Sequence, residues 1–149
     1  TDTAIKRLEF LCDTIPPLLS QIDEQDFSAK PAPDKWSKKE ILGHLIDSAT
    51  NNHHRVVRGQ FEHKPRITYD NHVWNAGNHY QALTSKHIIS FWTAYNKHLL
   101  AVVKRIPTEK MMNEVETGEE GDKNTMTVAF VIEDYVDHLE YHLRQIVSY

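Results

Sequence analysis

Apolar residues recur at helical spacing in four long segments of the chain, and polar residues fill the positions between them. On a helix, residues three and four apart lie on one face, so each segment is predicted to form an amphipathic helix. The four segments are 2–24, 37–60, 84–106 and 127–149. Pro16-Pro17 is expected to kink the first helix or to restart it after Thr14. These patterns predict an all-α protein, a four-helix bundle with long connecting loops.

The connections between these helices are long, although the second helix starts sharply, because Ser37 and Glu40 fit a capping box. Residues 61–83 form a connection in which 70–80 is predicted to be one short helix, and a connection of this length is more often functional than idle. Residues 108–126 are predicted to be an exposed loop, with a short hairpin as the alternative. No linker or repeat divides the 149 residues, so they are predicted to form a single domain.

The fourth helix carries two histidines four residues apart, His138 and His142. Side chains at this spacing lie one above the other, and two imidazoles placed this way can share one metal ion. The acid between them is Glu140, which points to the far side of the helix at about 100° per residue. It therefore cannot act as a general base beside the metal, and the pattern is not that of the zinc metalloproteases. A third ligand is needed to make a metal site.

A third histidine lies on a polar strip beside the apolar face of the second helix. The strip contains His44, Asp47, Ser48, Asn51, Arg55 and Arg58. One interpretation is that such strips are only the solvated flanks of amphipathic helices. In a four-helix bundle, however, facing helix edges also build metal sites, and three neutral imidazoles suit Zn²⁺ or Ni²⁺ with a fourth position open for water or substrate. A ferritin-like iron site is excluded, because the sequence has no Glu-x-x-His pair.

Polar side chains near these histidines are candidates for catalytic or pocket roles. Asp47 or Asp134 is predicted to orient a ligand histidine, as carboxylates do at many metal sites. Asn51 and Arg55 are predicted to receive an anionic part of a substrate. Trp74, in the long second connection, is too apolar to stay exposed and is expected to pack against the bundle and close one side of the pocket.

Composition narrows the classes of partner. The chain has 17 basic and 21 acidic residues and no concentrated positive face, so nucleic-acid binding is not expected. No stretch approaches the length of a membrane span, and no signal peptide is visible. The one cysteine, Cys12, falls among apolar helical positions and is interpreted as a small buried hydrophobe. Because a single cysteine forms no internal disulfide, the chain suits a reducing compartment, and we expect a cytoplasmic protein with no membrane partner.

A family resemblance is carried by two stretches, KWSKKEILGHLIDSATNNHHR near the front and DYVDHLEYHLRQI at the end. They resemble the DinB/YfiT-like superfamily of metal-dependent enzymes, and the middle stretch YDNHVW is similar to segments of that family. The resemblance spans nearly the whole chain and is weakest at 108–126. It implies a four-helix bundle with up-down-down-up topology and a metal held by His44, His138 and His142.

The resemblance also bears on function. Some members of this family are thiol-dependent transferases or isomerases that use bacillithiol, mycothiol or a similar low-molecular-weight thiol, and some form dimers, which implies a homodimer here. A metal with an open position lowers the pKa of a bound water to about 7 or holds a thiol as thiolate. The predicted function is therefore S-transfer or hydrolysis at a small-molecule electrophile. The alternative is a non-catalytic metal-binding or stress-response bundle.

Overall fold

The computed structural model describes residues 1–118 and 124–149. The described residues form four long helices, which are α1 (Asp2–Ser20), α3 (Lys38–Arg58), α5 (Ser85–Val103) and α6 (Val128–Leu143). The connections contain the shorter helices α2 (Glu24–Ser28) and α4 (Asn71–Asn78) and the strands β1 (Glu114–Glu116) and β2 (Thr125–Thr127). The predicted four-helix bundle is confirmed. Within these ranges, the structure has no helix that is both long and apolar enough to cross a membrane.

Contacts between the long helices give the order and direction of the bundle. α3 packs against α5 and α6, and α1 packs against the same two helices, so α1 and α3 occupy opposite corners. Contacts that advance together along two helices show that the helices are parallel, and contacts that advance in opposite senses show that they are antiparallel. For α1 and α6 the pairs are Thr1–Glu133 and Arg7–Glu140, and for α3 and α5 they are Ile46–Ile88 (which share a pocket) and His53–Tyr95. For α1 and α5, Glu9 pairs with Lys104 at the end of α5, and the chain that leaves α1 brings Glu24 of α2 against Ser85 at the start of α5. The bundle therefore has the up-down-down-up topology.

The apolar faces of the four long helices meet in one core. Trp92 of α5 is completely buried, and Leu11, Leu42 and Leu139 come to the same core from the other three helices. Burying a side chain of this kind is worth about 1.5–3 kcal/mol. Cys12 is buried in this core, as predicted, and burial raises the pKa of its thiol to about 11.

The starts of the helices follow local sequence signals. The predicted capping box at the start of α3 is confirmed, because the Ser37 hydroxyl accepts from the Glu40 backbone N–H and the Glu40 carboxylate accepts from the Ser37 N–H, both at 3.1 Å. α4 is the short helix predicted within 70–80, and it begins at Asp70, whose side chain accepts backbone N–H bonds from His72 and Val73.

The first helix differs from the prediction. α1 continues through Pro16-Pro17, so the predicted restart after Thr14 is wrong. Ile15 and Leu19 are both buried against the core on either side of the prolines, and this packing holds the helical path although two backbone donors are missing. The helix also ends at Ser20 instead of continuing to residue 24. A separate short helix, α2, begins at Glu24 and is capped by the side chain of Asp23.

The connection before α6 also differs from the prediction. Its described ends form the antiparallel pair β1 and β2, so the hairpin alternative is correct and the expectation of an exposed loop is wrong for these residues. Val115 lies opposite Met126 and is completely buried, which ties the hairpin to the core. The middle of the predicted loop, 119–123, lies outside the described residues. α6 itself ends at Leu143, six residues before the predicted end.

Candidate metal centre

Three histidine rings converge between α3 and α6. His44 lies in the first half of α3, and because α3 and α6 are antiparallel, it meets His138 and His142 in the second half of α6. The Nε2 atoms of His44 and His138 are 3.1 Å apart, and one ring nitrogen from each of the three residues lies within 4.8 Å of the other two. Nitrogens bound to a tetrahedral zinc ion at about 2.0–2.1 Å are about 3.4 Å apart, so a ring shift of no more than about 1.5 Å lets all three share an ion.

Burial keeps two of the three rings neutral. His44 is only 3% exposed, and burial, assisted by the neighbouring His138 and His142, lowers its pKa to about 3. Burial and the neighbouring His142 lower the pKa of His138 to about 4. A neutral imidazole has a free lone pair on one nitrogen, which is the form that binds a metal. At neutral pH the cluster therefore presents metal-binding imidazoles without having to lose protons.

The same pKa shifts predict how the stability of the metal-free protein depends on pH. The folded-state pKa values of His44 and His138, about 3 and about 4, lie below the value of about 6.5 expected in the unfolded chain. The unfolded state therefore takes up protons first, and the free energy of unfolding should fall as the pH drops from about 6.5 towards about 4. Urea denaturation across this window should show a weaker pH dependence in the double variant His44→Gln/His138→Gln, and an unchanged dependence would contradict the assignment.

Polar neighbours hold two of the rings through their Nδ1 atoms. Nδ1 of His142 lies 3.0 Å from the side-chain amide oxygen Oε1 of Gln145. This oxygen only accepts, so Nδ1–H donates to it and Nε2 keeps its lone pair. Nδ1 of His138 lies 3.4 Å from the hydroxyl of Ser48. The side-chain amide of Asn52 donates to this hydroxyl at 3.2 Å and fixes its position. These contacts orient both α6 rings towards His44.

Aromatic side chains cover the cluster. The ring of Trp36 lies 5.0 Å from that of His44 and 5.3 Å from that of His72, and Tyr141 lies 5.0 Å from His142. Nδ1 of His44 is buried and has no hydrogen-bond partner among the described residues. The nitrogen of His44 that faces the cluster is Nε2, 3.1 Å from Nε2 of His138. Three convergent ring nitrogens are a donor set that fits a divalent metal.

The family of the protein follows from comparison with known sequences. A family model of the DinB superfamily matches residues 7–146, which include all three histidines. The chain belongs to the DinB superfamily. A search of curated proteins gave no match for this DinB protein.

Solved structures with the same fold support this assignment. The DinB chain is similar to YfiT from Bacillus subtilis, which is described as a probable metal-dependent hydrolase with an unusual four-helix bundle topology. The two structures match with a TM-score of 0.85 and 17% sequence identity, and the match covers 97% of this chain and 82% of YfiT. It is similar to a mycothiol-dependent maleylpyruvate isomerase with a TM-score of 0.81 and 10% identity, over 99% of this chain and 60% of that one. A DinB-like protein from Bacillus subtilis matches with a TM-score of 0.67 and 14% identity, and the match covers 97% of this chain and 86% of that one. At these identities the likeness shows the fold alone.

In this DinB protein, and among the described residues, Asp47 forms no hydrogen bond to the three histidines, so the structure shows no bond through which it would orient His44. Its carboxylate accepts hydrogen bonds from the hydroxyl of Tyr80 and, at 3.0 Å, from the amide of Asn78. Three residues along a helix correspond to a rotation of about 300°, so Asp47 lies about 60° to one side of His44. That rotation turns Asp47 from α6 towards α4 and the 3₁₀ turn Tyr80–Ala82.

The other predicted polar candidates take structural contacts. Asn51 is buried and donates to the backbone carbonyl of Asp47 at 2.9 Å. Arg55 donates to the backbone carbonyl of Ile67 at 2.9 Å, which ties the second connection to α3. Asp134 is exposed, and within the described part of the chain it forms no hydrogen bond to the three histidines. Among the described residues, none of the three side chains therefore forms a hydrogen bond to the ligand rings.

Ser48, Asn52 and Arg55 form the polar row that reaches the cluster. Arg55 donates to the side-chain amide oxygen of Asn52 at 3.2 Å, and the side-chain amide nitrogen of Asn52 donates to the hydroxyl of Ser48. This hydroxyl lies beside Nδ1 of His138. Spacing could have identified this row, because 44, 48 and 52 are each four residues apart and stack along one face. Trp36 gave no comparable signal, since it precedes the helix and its position depends on the fold of the connector.

Trp74 lies beside the long helices, because it lines a pocket together with Ile46 of α3 and Ile88 of α5. Its side chain is half-buried, and its ring packs edge-on against Tyr69 at 5.8 Å. The pocket that it lines contains Asp47 and Tyr80 and none of the three histidines, as far as the described residues define it. Trp74 therefore closes a pocket next to the candidate metal centre and not the metal centre itself.

Proposed function

We propose that this DinB protein is a divalent-metal-dependent enzyme whose metal, Zn²⁺ or Ni²⁺, is held by His44, His138 and His142 with one coordination position open. The observation that carries the proposal is the convergence of three ring nitrogens within 4.8 Å. Burial keeps two of these rings neutral at pH 7. A set of three imidazoles suits nitrogen-preferring divalent metals.

The open position gives the site its chemistry. Among the described residues, no fourth histidine, cysteine or carboxylate joins the three histidines. A bound metal of this type supplies a water with a pKa lowered to about 7, or holds a thiol as thiolate. The protein's own contribution is orientation, because Ser48 and Gln145 hold two ligand rings and the ring of Trp36 packs beside His44.

Two forms of the reaction are proposed. In hydrolysis, the oxygen of water bonds to the electrophilic atom of a small substrate, the leaving group departs with the bonding electrons, and the protons of water go to the products. In S-transfer, the sulfur of a low-molecular-weight thiol forms the new bond, and its proton is released to the leaving group or to solvent. Similarity to YfiT, described as a probable hydrolase, supports the first form, and similarity to a mycothiol-dependent isomerase supports the second.

Arg55 is proposed to assist with an anionic part of the substrate. It is half-buried at the end of the row that leads through Asn52 and Ser48 to His138. Burial lowers the pKa of its guanidinium from the ordinary value, but an arginine stays charged at neutral pH. Its positive charge therefore lies on the side of the cluster from which a substrate can extend along α3.

The function is tested with protein that has been stripped by a chelator and reloaded with Zn²⁺ or Ni²⁺. Each form is assayed for hydrolysis of p-nitrophenyl esters and for transfer of bacillithiol, mycothiol or cysteine to an activated aryl chloride. Activity is expected only in the reloaded protein. It should be lost in His142→Ala and kept in His54→Ala, which removes an exposed histidine from α3. Metal binding without activity in any combination would overturn the enzyme proposal in favour of a non-catalytic metal-binding protein.

A further inference from the structure

A second pocket, of about 350 Å³, lies between α3, α4 and α5. We call it the Asp47 pocket, and it is defined here by Asp47 and Thr50 of α3, Trp74 of α4, Tyr80, and Ile88 and Phe91 of α5. Its volume is at the small end of the range of about 300–1,000 Å³ that is typical for small-molecule sites. Nothing in the proposed metal chemistry uses it.

The carboxyl group of Asp47 is the main charged group of this pocket. The residue is 1% exposed, and its Oδ1 accepts hydrogen bonds from Tyr80 and Asn78. Its Oδ2 is buried without a hydrogen-bond partner among the described residues. Among the described residues that line the pocket there is no lysine or arginine, and the one basic side chain is the exposed imidazole of His87. A buried carboxyl oxygen without a partner costs free energy unless a ligand or an ion satisfies it.

Asp47 is mostly ionised at neutral pH in spite of its burial. Burial raises the pKa of this carboxyl to about 6, and the hydrogen bond from Tyr80 limits the rise. At pH 7.5 the group therefore carries a negative charge, and among the described residues no lysine, arginine or histidine forms a hydrogen bond or ion pair with it. A positively charged ligand is the complement of this charge.

The other walls of the pocket suit an apolar body. Trp74, Tyr80 and Phe91 contribute aromatic rings, and Ile88 contributes an aliphatic surface. Phe91 lines the pocket and is 47% exposed, which leaves part of its ring available to a ligand. Aromatic faces also attract cations, because their faces are electron-rich. The walls and the carboxylate therefore favour the same chemical class.

The pocket is held in shape without a ligand. The amide of Asn75 donates to the backbone carbonyl of Glu40 at 2.9 Å, which fixes α4 on α3. The ring of Tyr80 packs directly on Gly43, so closely that a Cβ at this position would lie 2.2 Å from the ring. A preformed site does not have to be ordered when the ligand binds, and this favours affinity.

We propose that the Asp47 pocket binds a small organic ammonium ion, with its protonated amine directed at Asp47 and its apolar body between the aromatic walls. A hydrogen bond from an ammonium to a carboxylate is roughly twice as strong as one between neutral groups. The proposal does not depend on the metal centre, because the described lining of the pocket contains none of the three histidines.

The proposal is tested by isothermal titration calorimetry on the full chain at pH 7.5. The probes are phenethylammonium and butylammonium, with trimethylphenylammonium as a cation that has no N–H to donate and with phenethyl alcohol and phenylacetate as the neutral and anionic controls. At least one of the two protonated amines is expected to bind about tenfold or more tightly than phenethyl alcohol, which corresponds to about 1.4 kcal/mol. Protonated amines that both bind no better than the alcohol, or that do not bind, would overturn the proposal.

Variants locate the binding and separate it from the metal. Asp47→Asn keeps the side-chain shape and should weaken ammonium binding about tenfold, whereas Asp134→Asn makes the same charge change on the surface and should have no effect. Phe91→Ala removes one aromatic wall at a half-exposed position and keeps the test valid if Asp47→Asn fails to fold. Unchanged ammonium affinity in the folded pocket variants would overturn the assignment of the site. Metal content of Asp47→Asn should equal that of the wild type, so failure of this proposal is distinguishable from failure of the metal proposal.

Discussion

Replacing His44, His138 or His142 with alanine is expected to remove most of the bound metal and to leave the helical fold largely intact. Losing one of three protein ligands should weaken metal binding by more than the about 10–100-fold that loss of an outer contact costs. The fold should persist because other residues of the same helices build the core, Leu42 and Leu45 in α3 and Leu139 and Leu143 in α6. Metal content, measured beside far-UV circular dichroism, checks both parts of this expectation.

The matched control for these variants is His54→Ala. His54 lies on α3, as His44 does, but its side chain is exposed and outside the cluster. This variant should retain the metal content of the wild type. If His44→Ala, His138→Ala or His142→Ala also retains wild-type metal content, the affected residue is not a ligand.

The second large effect is expected for Gly43→Ala. A Cβ at this position would lie 2.2 Å from Cδ2 of the Tyr80 ring and 2.4 Å from Cγ, the ring carbon that is bonded to Cβ of Tyr80. Tyr80 is buried and cannot swing its ring away without leaving the pocket and its hydrogen bond to Asp47. Overpacking of this kind costs about 1–3 kcal/mol. The free energy of unfolding of the variant, measured by urea denaturation, should be lower than that of the wild type by this amount.

Gly77→Ala is the matched control for this change. Gly77 is exposed within α4, and a Cβ there would meet no atom within 4 Å. Alanine is favoured over glycine in a helix by about 0.8–1 kcal/mol, so this substitution should be neutral or stabilising. Equal stability of the two variants would show that Tyr80 does not pack on Gly43 as the structure has it.

The pattern of the sequence predicts the long helices well because their apolar faces are continuous. α3 is the clearest case, since its capping box marks its start and its apolar positions recur along its length. α1 shows the limit of local signals. Pro16-Pro17 predicts a possible restart, but the buried neighbours Ile15 and Leu19 hold the helix together, and such tertiary packing is not readable from local sequence.

The order of the helices could not be derived from periodicity. Periodicity shows that a face is buried but not which helix covers it, and connections as long as 61–83 allow several arrangements. The up-down-down-up topology came from the family resemblance instead, and contacts such as Arg7–Glu140 and Glu9–Lys104 now show it directly.

In the candidate site, too, local spacing could place some residues and not others. His138 and His142 share a face by helical spacing alone, so their pairing was predictable, and His44 followed from its position at the edge of the apolar face of α3. Asp47 belongs to the same polar strip in the sequence, but the strip is wide enough to face two neighbours. α4 and Tyr80 cover its far side, so Asp47 became part of a different pocket.

The central claim is that three imidazoles hold one metal ion with an open position. X-ray absorption spectroscopy at the metal edge of the zinc- or nickel-loaded protein measures the number and type of ligands directly. The account predicts three imidazole nitrogens, at about 2.0–2.1 Å for zinc, and a further light atom from water. Two or fewer imidazoles, or a sulfur ligand from the protein, would contradict it.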